Sequence, residues 1–163
     1  MSINNDFFGD TIVLADISSQ TNNTTTITTQ NVAETLVISN ATTNLVSNIS
    51  LDGNNIKFEV TGKYMFQFRI TLDGGSNQVY FIEPQLVSNG VTTALSTSGF
   101  QVSTKASNLW EAQYLAILNL PINYGANYPF GTTKNEIFFK ITNQTGTNDA
   151  ILRNYCLTIF KIL

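Results

Sequence analysis

The chain has 163 residues, of which 42% are hydrophobic and 12% are charged, with a formal net charge of −3 and no histidine. This length is enough for one domain with a sizeable core. Its eight Lys and Arg residues are scattered and cannot neutralise many phosphates, which argues against nucleic-acid binding. Since no run of 18 apolar residues occurs, no transmembrane helix is predicted.

The chain has fewer charged residues than a typical soluble domain and many neutral polar residues instead. The sequence contains 20 Asn and 22 Thr, whereas charged residues make up roughly 25% of a typical soluble domain. Thr favours strands, and Asn favours turns and left-handed backbone positions. The composition therefore predicts an all-β protein with many connections.

The N-terminal stretch 1–10 is polar apart mainly from Phe7 and Phe8, and we interpret it as an arm. It has neither a basic leader nor an unbroken apolar core, so a signal peptide is not predicted. Its two aromatic side chains either dock on a neighbouring protein or cap the domain's own core. Residues 11–17 form the first predicted strand.

Three segments precede the centre of the chain. Residues 18–30 are uncharged and low in complexity, and they form either a loop or an edge strand centred on Ile27. Residues 34–39 are a stronger strand candidate, and 44–51 contain another apolar segment. Asp, Gly and two Asn at 52–55 predict a turn.

The central stretch, 56–72, has the clearest pattern. Apolar residues alternate with mainly polar ones before and after Gly62, which is the two-residue period of a half-buried strand. One side of the second half is wholly apolar, with Tyr64, Phe66, Phe68, Ile70 and Leu72. Burying each of these is worth roughly 1.5–3 kcal/mol, so this face must lie against a second sheet. Residues 61–63 are predicted to reverse the chain and form a hairpin.

The next segments are separated by turn signals. A glycine-containing turn at 73–77 precedes a strand at 78–87, in which Pro84 indicates an edge position or a bulge. Asn89-Gly90 predicts a two-residue hairpin. Short strands are expected at 91–95 and 100–103.

Residues 109–120 fit two structures. The spacing of Trp110, Gln113 and Ile117 is compatible with a helix, whereas strand periodicity places most of the other large apolar residues on one face. Pro121 ends the segment and strands are predicted on both sides, so we predict a strand.

The last third begins with a loop at 123–133 that is rich in Gly, Pro, Asn and Tyr. Its aromatic faces and amides suit a sugar or a protein groove, or else they plug one end of the fold. The ligand-loop candidates are Asn123, Tyr124, Asn127, Tyr128 and Phe130. Two further strands are predicted at 135–142 and 151–163.

Several strands have large apolar residues on both faces. The outward-facing set is Met65, Leu115, Ile117, Phe138, Phe160 and Ile162. One face of an antiparallel sandwich sheet is normally in water, so these residues need a second cover. A partner subunit would provide it, and closed symmetry is the common arrangement. A loop folded over the sheet is the alternative.

The sequence offers little catalytic chemistry. Without His, Ser–His and Cys–His nucleophile systems are excluded. The single Cys156 is predicted to be a buried small side chain, with an interchain disulfide as the alternative. The turn at 52–55 lacks the acidic density of a calcium loop, and nothing places Glu83 and Glu111 together as a glycosidase pair. We therefore predict no enzyme activity, no cofactor and no metal site.

The segment FEVTGKYMFQFRITL, together with the closing NEIFFKITN and YCLTIFKIL, resembles the jelly-roll superfamily of tumour necrosis factor and the complement globular heads. In that family an F-x-x-x-G-x-Y-x-F-x-F-like segment forms an early core strand, and a late apolar strand lies beside the trimer axis. The matching positions are Phe58, Gly62, Tyr64, Phe66 and Phe68 early, and Leu157, Ile159 and Phe160 late. The resemblance covers residues 30–163.

The resemblance implies an antiparallel jelly-roll sandwich of about 8–10 strands, assembled as a homotrimer. We divide the chain into 1–20, an arm and first strand for attachment or subunit exchange, and 21–163, a single jelly-roll domain. The trimer-interface candidates are Met65, Trp110, Tyr114, Phe138, Tyr155, Leu157, Ile159 and Phe160. The chain shows no collagen-like repeat, membrane anchor or secretion signal, which fits virus-encoded relatives better than the animal members.

The resulting hypothesis is a non-enzymatic virion structural protein, such as a capsid decoration, head-fibre or minor capsid subunit. It would be made in the host cytoplasm and would bind itself and the major capsid protein or other virion proteins. The anchoring candidates are Phe7, Phe8, Ile12 and Leu14. The alternative is a carbohydrate- or receptor-binding adhesin module, as in a phage fibre tip or lectin-like domain, whose partner is a host surface glycan or receptor. Neither nucleic acid nor membrane is a predicted partner.

Overall fold

A computed structural model describes residues 13–38, 41–45, 49–59, 62–88, 90–104, 109–120 and 135–162. These residues form thirteen strands and one short 3-10 turn, Ser96–Ser98, with no α-helix among them. The strands are β1 (Val13–Ser19), β2 (Asn23–Thr25), β3 (Ala33–Thr35), β4 (Thr42–Leu45), β5 (Ile49–Asp52), β6 (Asn55–Phe58), β7 (Gly62–Asp73), β8 (Val79–Ser88), β9 (Val91–Ala94), β10 (Phe100–Ser103), β11 (Leu109–Leu120), β12 (Asn135–Asn143) and β13 (Ala150–Lys161).

The strands form two antiparallel sheets. Sheet A has the order β11-β7-β13-β1-β4, and the short β2 also pairs with β13. Sheet B has the order β10-β8-β12-β6-β5, with the short strands β3 and β9 added beside β12 and β8. The ten strands of the two orders and their crossovers make a jelly-roll sandwich. The all-β jelly-roll prediction is confirmed.

The core lies between the inner faces of the two sheets. On β7 every second residue from Tyr64 to Leu72 is buried, as the alternation of the sequence predicts. Phe68 is fully buried at the centre, where its ring centroid lies 5.0 Å from that of Phe139 on sheet B. Phe58 of sheet B lies 4.9 Å from Tyr64 of sheet A in an edge-to-face contact. Aromatic pairs across the two sheets therefore fix the centre of the sandwich.

The hairpin predicted at 61–63 is wrong. The strand before it, β6, belongs to sheet B, whereas β7 belongs to sheet A, so the chain crosses from one sheet to the other. Both strands have large apolar residues that need the same core. Because the chain crosses between the sheets, Phe58 and Tyr64 meet edge to face across the core, one from each sheet.

Pro84 lies in an interior strand, so the predicted edge position is wrong. On one side β8 pairs with β12 along its whole length, including Pro84 with Phe139. On the other side the partner changes, because β10 pairs with 79–82 and β9 pairs with 85–88. The Pro84 carbonyl accepts a bond from Leu95 at 3.0 Å on that side. The proline therefore occupies the junction between two short partners, where its missing N–H interrupts neither ladder.

Other predicted segments change in detail. In 18–30, the short β2 pairs with β13, and Ile27 is buried just after it. Near 34–39, the strand among the described residues is the three-residue β3. The segment 44–51 is divided between β4 in sheet A and β5 in sheet B. The predictions of a turn at 52–55 and of a hairpin at 89–90 are confirmed by the pairing of the flanking residues.

The first strand is integral to the domain. β1 lies inside sheet A, between β13 and β4, and its Ala15 and Ile17 are fully buried. The division of the chain after residue 20 stays a prediction, because residues 1–12 lie outside the described part.

Candidate functional site

The edge strand of sheet A exposes large apolar side chains. On β11, Tyr114, Ala116, Leu118 and Leu120 are buried, which confirms the strand prediction for 109–120. The alternate residues point outward, and Leu115 and Ile117 are 61% and 62% exposed. No described residue covers most of either side chain.

Apolar residues form a row across the outer face of sheet A. Ile117 of β11 pairs with Met65 of β7, which pairs in turn with Phe160 of β13. Met65 and Phe160 are half-buried. Leu115 is the next outward-facing residue on β11, beside Ile117. We call the set of Met65, Leu115, Ile117 and Phe160 the apolar row. It is continuous because neighbouring strands lie about 4.8 Å apart.

Polar residues follow the apolar row towards the other end of the same face. Gln113, Arg69 and Cys156 lie side by side on β11, β7 and β13. In the next row Glu111 lies opposite Thr71, which lies opposite Asn154. The hydroxyl of Thr71 donates to the Asn154 Oδ1 at 2.9 Å.

Most charges on this face have partners. The Arg153 guanidinium binds the Asp73 carboxylate at 2.5 Å. The carboxylate of Asp16 accepts bonds at 3.3 Å from both the Cys156 thiol and the Thr158 hydroxyl. Burial raises the pKa of the Cys156 thiol, and the carboxylate of Asp16 acts in the same direction. The thiol is therefore poorly activated, and it lies half-buried on the outer face rather than in the core, where it was predicted.

Two open recesses cross this polar region. One, of about 570 Å³, is lined by Arg69, Ile70, Thr71, Glu111, Gln113 and Asn154. The other, of about 540 Å³, lies over β13 and β1 and shares Arg69 and Asn154 with the first. The outer face of sheet A thus combines an apolar row with an adjoining polar depression.

The outer face of sheet B is different. Phe138 and Phe81 point outward from β12 and β8, and both are half-buried. Gln85 lies directly opposite Phe138 and is only 4% exposed, although its position also points away from the core. Its amide nitrogen has no hydrogen-bond partner among the described residues. This face is therefore largely covered around Phe138.

The predicted interface candidates fall in three different places. Met65 and Phe160 lie on the outer face of sheet A, whereas Phe138 lies on that of sheet B, so one flat interface cannot use all three. The side chains of Tyr114, Tyr155, Leu157 and Ile159 belong to the subunit's own core. Buried side chains cannot contact a second subunit directly, so for these four the interface assignment is corrected to a core assignment. Trp110 lies in β11 opposite Leu72, and its side chain is outside the described part.

Burial also sets the chemistry of the inward tyrosines. Tyr155 is 3% exposed and its hydroxyl donates to the Ile38 carbonyl. Burial raises the pKa of Tyr155 to about 12 and that of Tyr114 to about 12. Both phenols are therefore neutral at ordinary pH and serve the core.

Several candidates lie outside the described residues. Phe7, Phe8 and Ile12 precede them, and Leu14 is described only through the backbone of β1. The five ligand-loop candidates at 123–130 lie in the gap between β11 and β12. Their roles stay predictions.

The described residues contain no assembled catalytic or metal centre. No group of three or more His, Cys, Asp or Glu among them could hold a metal ion. Glu83 lies on sheet B opposite Lys140, and Glu111 lies on sheet A, so these carboxylates do not face one another. Asp52 pairs with Lys57 at 2.5 Å across the hairpin. No helix in the described ranges has the length and apolarity to cross a membrane.

Sequence reasoning missed the recess around Arg69 and Glu111. The outward parity of both residues follows from strand alternation, but the register that places β11 beside β7 does not. The pairing of Gln113 with Arg69 depends on how two strands some forty residues apart align in space. The apolar row was partly visible, because Leu115 and Ile117 oppose the core-facing residues in the pattern.

Comparison of the fold with solved structures supports the resemblance seen in the sequence. The crystal structure of murine APRIL at pH 5.0 superposes with a TM-score of 0.59 at 13% identity, covering 91% of this chain and 98% of that chain. The globular domain of zebrafish complement 1qA superposes with a TM-score of 0.53 at 12% identity, covering 92% of this chain and 98% of that chain. The chain therefore has a tumour necrosis factor-like jelly-roll fold, as the resemblance predicts.

A third structure, the vertex protein P5 of PRD1, aligns over 93% of this chain and 99% of that chain at 12% identity. Its TM-score is 0.49. No protein-family model and no curated protein matches the sequence.

Proposed function

We propose that this chain is a non-enzymatic structural protein of a virus particle, a trimeric decoration, head-fibre or minor capsid subunit displayed on the particle surface. The observation that carries the proposal is the exposed apolar row on sheet A. A jelly-roll subunit that already buries its own core between two sheets presents a second apolar surface. Such a surface is typical of an interface between subunits.

The proposed trimer uses the outer face of sheet A. Leu115 and Ile117 are more than half exposed, while Met65 and Phe160 extend the same row inward from the edge. Burying a side chain of this size is worth roughly 1.5–3 kcal/mol, so three copies that cover one another gain several such contributions. The tumour necrosis factor-like fold supports a threefold arrangement, because the resemblance implies a homotrimer.

The proposed location is the virion, with the N-terminal arm as the anchor to the major capsid protein or another virion protein, through the candidates Phe7, Phe8, Ile12 and Leu14. β1 is part of sheet A, so the test must keep it. Immunogold electron microscopy on particles of the virus that encodes the chain is expected to label the particle surface. Deleting residues 1–10 should leave the trimer intact and remove the label. Label that persists after the deletion, or that never appears, would overturn the anchoring or the location.

A second candidate function rests on the Tyr-rich segment at 123–133. Aromatic faces beside amides suit carbohydrate, so the chain would then be a glycan- or receptor-binding adhesin module. Glycan-array binding that is lost in Tyr124→Ala and Tyr128→Ala, with the trimer mass unchanged, would favour this function over a purely structural role.

A further inference from the structure

The polar recess on sheet A contains one positive and one negative side chain that form no ion pair with any described residue. Arg69 and Glu111 are both exposed, and they line the same recess of about 570 Å³. Within the described part of the chain, the ion pairs are Lys57–Asp52 and Arg153–Asp73, and neither includes Arg69 or Glu111. The other acidic groups near the recess, Asp73 and Asp16, already have partners.

The two unpaired charges are diagonal neighbours in the sheet. Glu111 lies opposite Thr71, and Arg69 is two residues from Thr71 on β7. Diagonal neighbours lie about 7–8 Å apart, within reach of long side chains, yet the two groups do not meet within the subunit. Each side chain is thus available to a group of opposite charge on another molecule.

We propose that Arg69 of one copy pairs with Glu111 of the neighbouring copy in the trimer, so that the two residues fix the register of the interface. The proposal rests on the proposed trimer. A face with one free charge of each sign is complementary to a second copy of itself around a cyclic axis. It also continues directly into the apolar row, since Leu115 and Glu111 lie on the same side of β11. Subunits that slid along the strands by one row would leave both charges unpaired.

The role of this pair is specificity, while the apolar row provides most of the affinity. An arginine and a carboxylate placed in an interface exclude wrong alignments, because like charges brought together there are strongly unfavourable. Covering the recess would also remove water from around the pair and strengthen its electrostatic attraction.

The test is a charge swap that is read out by light scattering across a dilution series. Arg69→Glu and Glu111→Arg are each expected to raise the dissociation constant of the trimer by ~30-fold or more. The double variant Arg69→Glu/Glu111→Arg should return it to within about threefold of wild type, since the pair is restored with opposite polarity. The swap Lys140→Glu/Glu83→Lys is the control on sheet B, because it reverses both charges of a cross-strand pair without bringing like charges together, and it should change little.

Mixing the two single variants tests whether the pair joins different chains. Equal amounts of Arg69→Glu and Glu111→Arg should associate more tightly than either alone, since two of the three interfaces in a mixed trimer then pair opposite charges, whereas all three bring like charges together in a trimer of one variant. Recovery in the double variant without recovery in the mixture would overturn the proposal, because it would place the pair within one chain. Where a reversal prevents folding, Arg69→Gln and Glu111→Gln remove the charges with less change in shape.

Two further outcomes separate this proposal from the trimer on which it rests. A wild-type trimer that both reversals leave unchanged would overturn the Arg69–Glu111 pair and leave the trimer standing. A wild-type monomer would overturn the trimer and, with it, the pair.

Discussion

The outer faces of the two sheets have similar sequence patterns and different surfaces. On sheet B, Phe138 is half-buried and the neighbouring Gln85 is 4% exposed, so the chain covers this face itself. On sheet A, Leu115 and Ile117 remain 61% and 62% exposed. Two-sided hydrophobicity in a strand thus predicts that a face needs cover, but it does not predict whether the cover belongs to the same chain.

The inner face of sheet A should show the largest effect on stability. Phe68→Ala removes a fully buried ring that contacts Phe139 and Tyr155, and it should cost ~3–5 kcal/mol of unfolding free energy. Lys63→Ala, an exposed position on the same strand, should stay within about 0.5 kcal/mol of wild type. Denaturant titrations at one protein concentration measure both. Similar midpoints for the two variants would mean that Phe68 is not a core residue.

The apolar row should control association rather than folding. Leu115→Ser/Ile117→Ser is expected to reduce the trimer to single chains, with a loss of about 3 kcal/mol or more in association free energy. The far-ultraviolet circular dichroism should be unchanged, because neither side chain belongs to the core. Val91→Ser, an equally exposed position in the β9 edge strand, is the control and should remain trimeric. If the double variant keeps the mass of the trimer, the interface does not lie on the apolar row of sheet A.

Raising the pH above about 10 should lower the free energy of unfolding, because it ionises a buried tyrosine on the inner face of sheet A. Burial raises the pKa of Tyr155 to about 12, above the ordinary value of 10.0. The folded state therefore holds the phenolic proton more tightly than the unfolded state. The resulting stability, of order 2 kcal/mol, is present below about pH 10 and is lost as the pH rises to 12.

Tyr155→Phe tests this pH dependence. The variant should lose less stability than wild type between pH 10 and 12, because it has one fewer phenol to ionise on unfolding. Tyrosinate absorbance followed together with circular dichroism gives the measurement. A wild-type profile that is flat over this range would contradict the assignment of Tyr155 to the closed core.

The smallest expected effect concerns Cys156, which lies two rows from Phe160 on the outer face of sheet A. In the trimer its alkylation should be slow, because the neighbouring subunit covers the face. Leu115→Ser/Ile117→Ser should speed the reaction, yet keep it slower than in the unfolded chain, since burial raises the pKa of the thiol. Equal rates in wild type and variant would indicate that this face is open in both.

The sequence predicts the fold well where alternation is strong. The pattern of 64–72 fixes which side of β7 is buried, and the alternation of 109–120 favours a strand over a helix. It could not predict the crossover at 61–63, because a hairpin and a crossover both place Phe58 and Tyr64 in a core. The edge position predicted for Pro84 was wrong because an interior strand can contain a proline where two short partner strands meet. The meeting point of β9 and β10 depends on the tertiary structure.

The candidate site was less predictable for the same reason. Parity identified Met65, Leu115, Ile117 and Phe160 as outward residues, and the structure places them in one row. The alternation of residues along each strand did not predict that Phe138 lies on the opposite sheet. It also did not predict that Arg69 and Glu111 line the same recess. These facts depend on strand order and register, which local sequence leaves open.

The solution mass of the wild-type chain tests the central claim most directly. Light scattering over a range of concentrations should give three times the chain mass of 17.9 kDa. A mass of one chain at all concentrations would contradict the trimer and leave the apolar row on sheet A without its proposed partner.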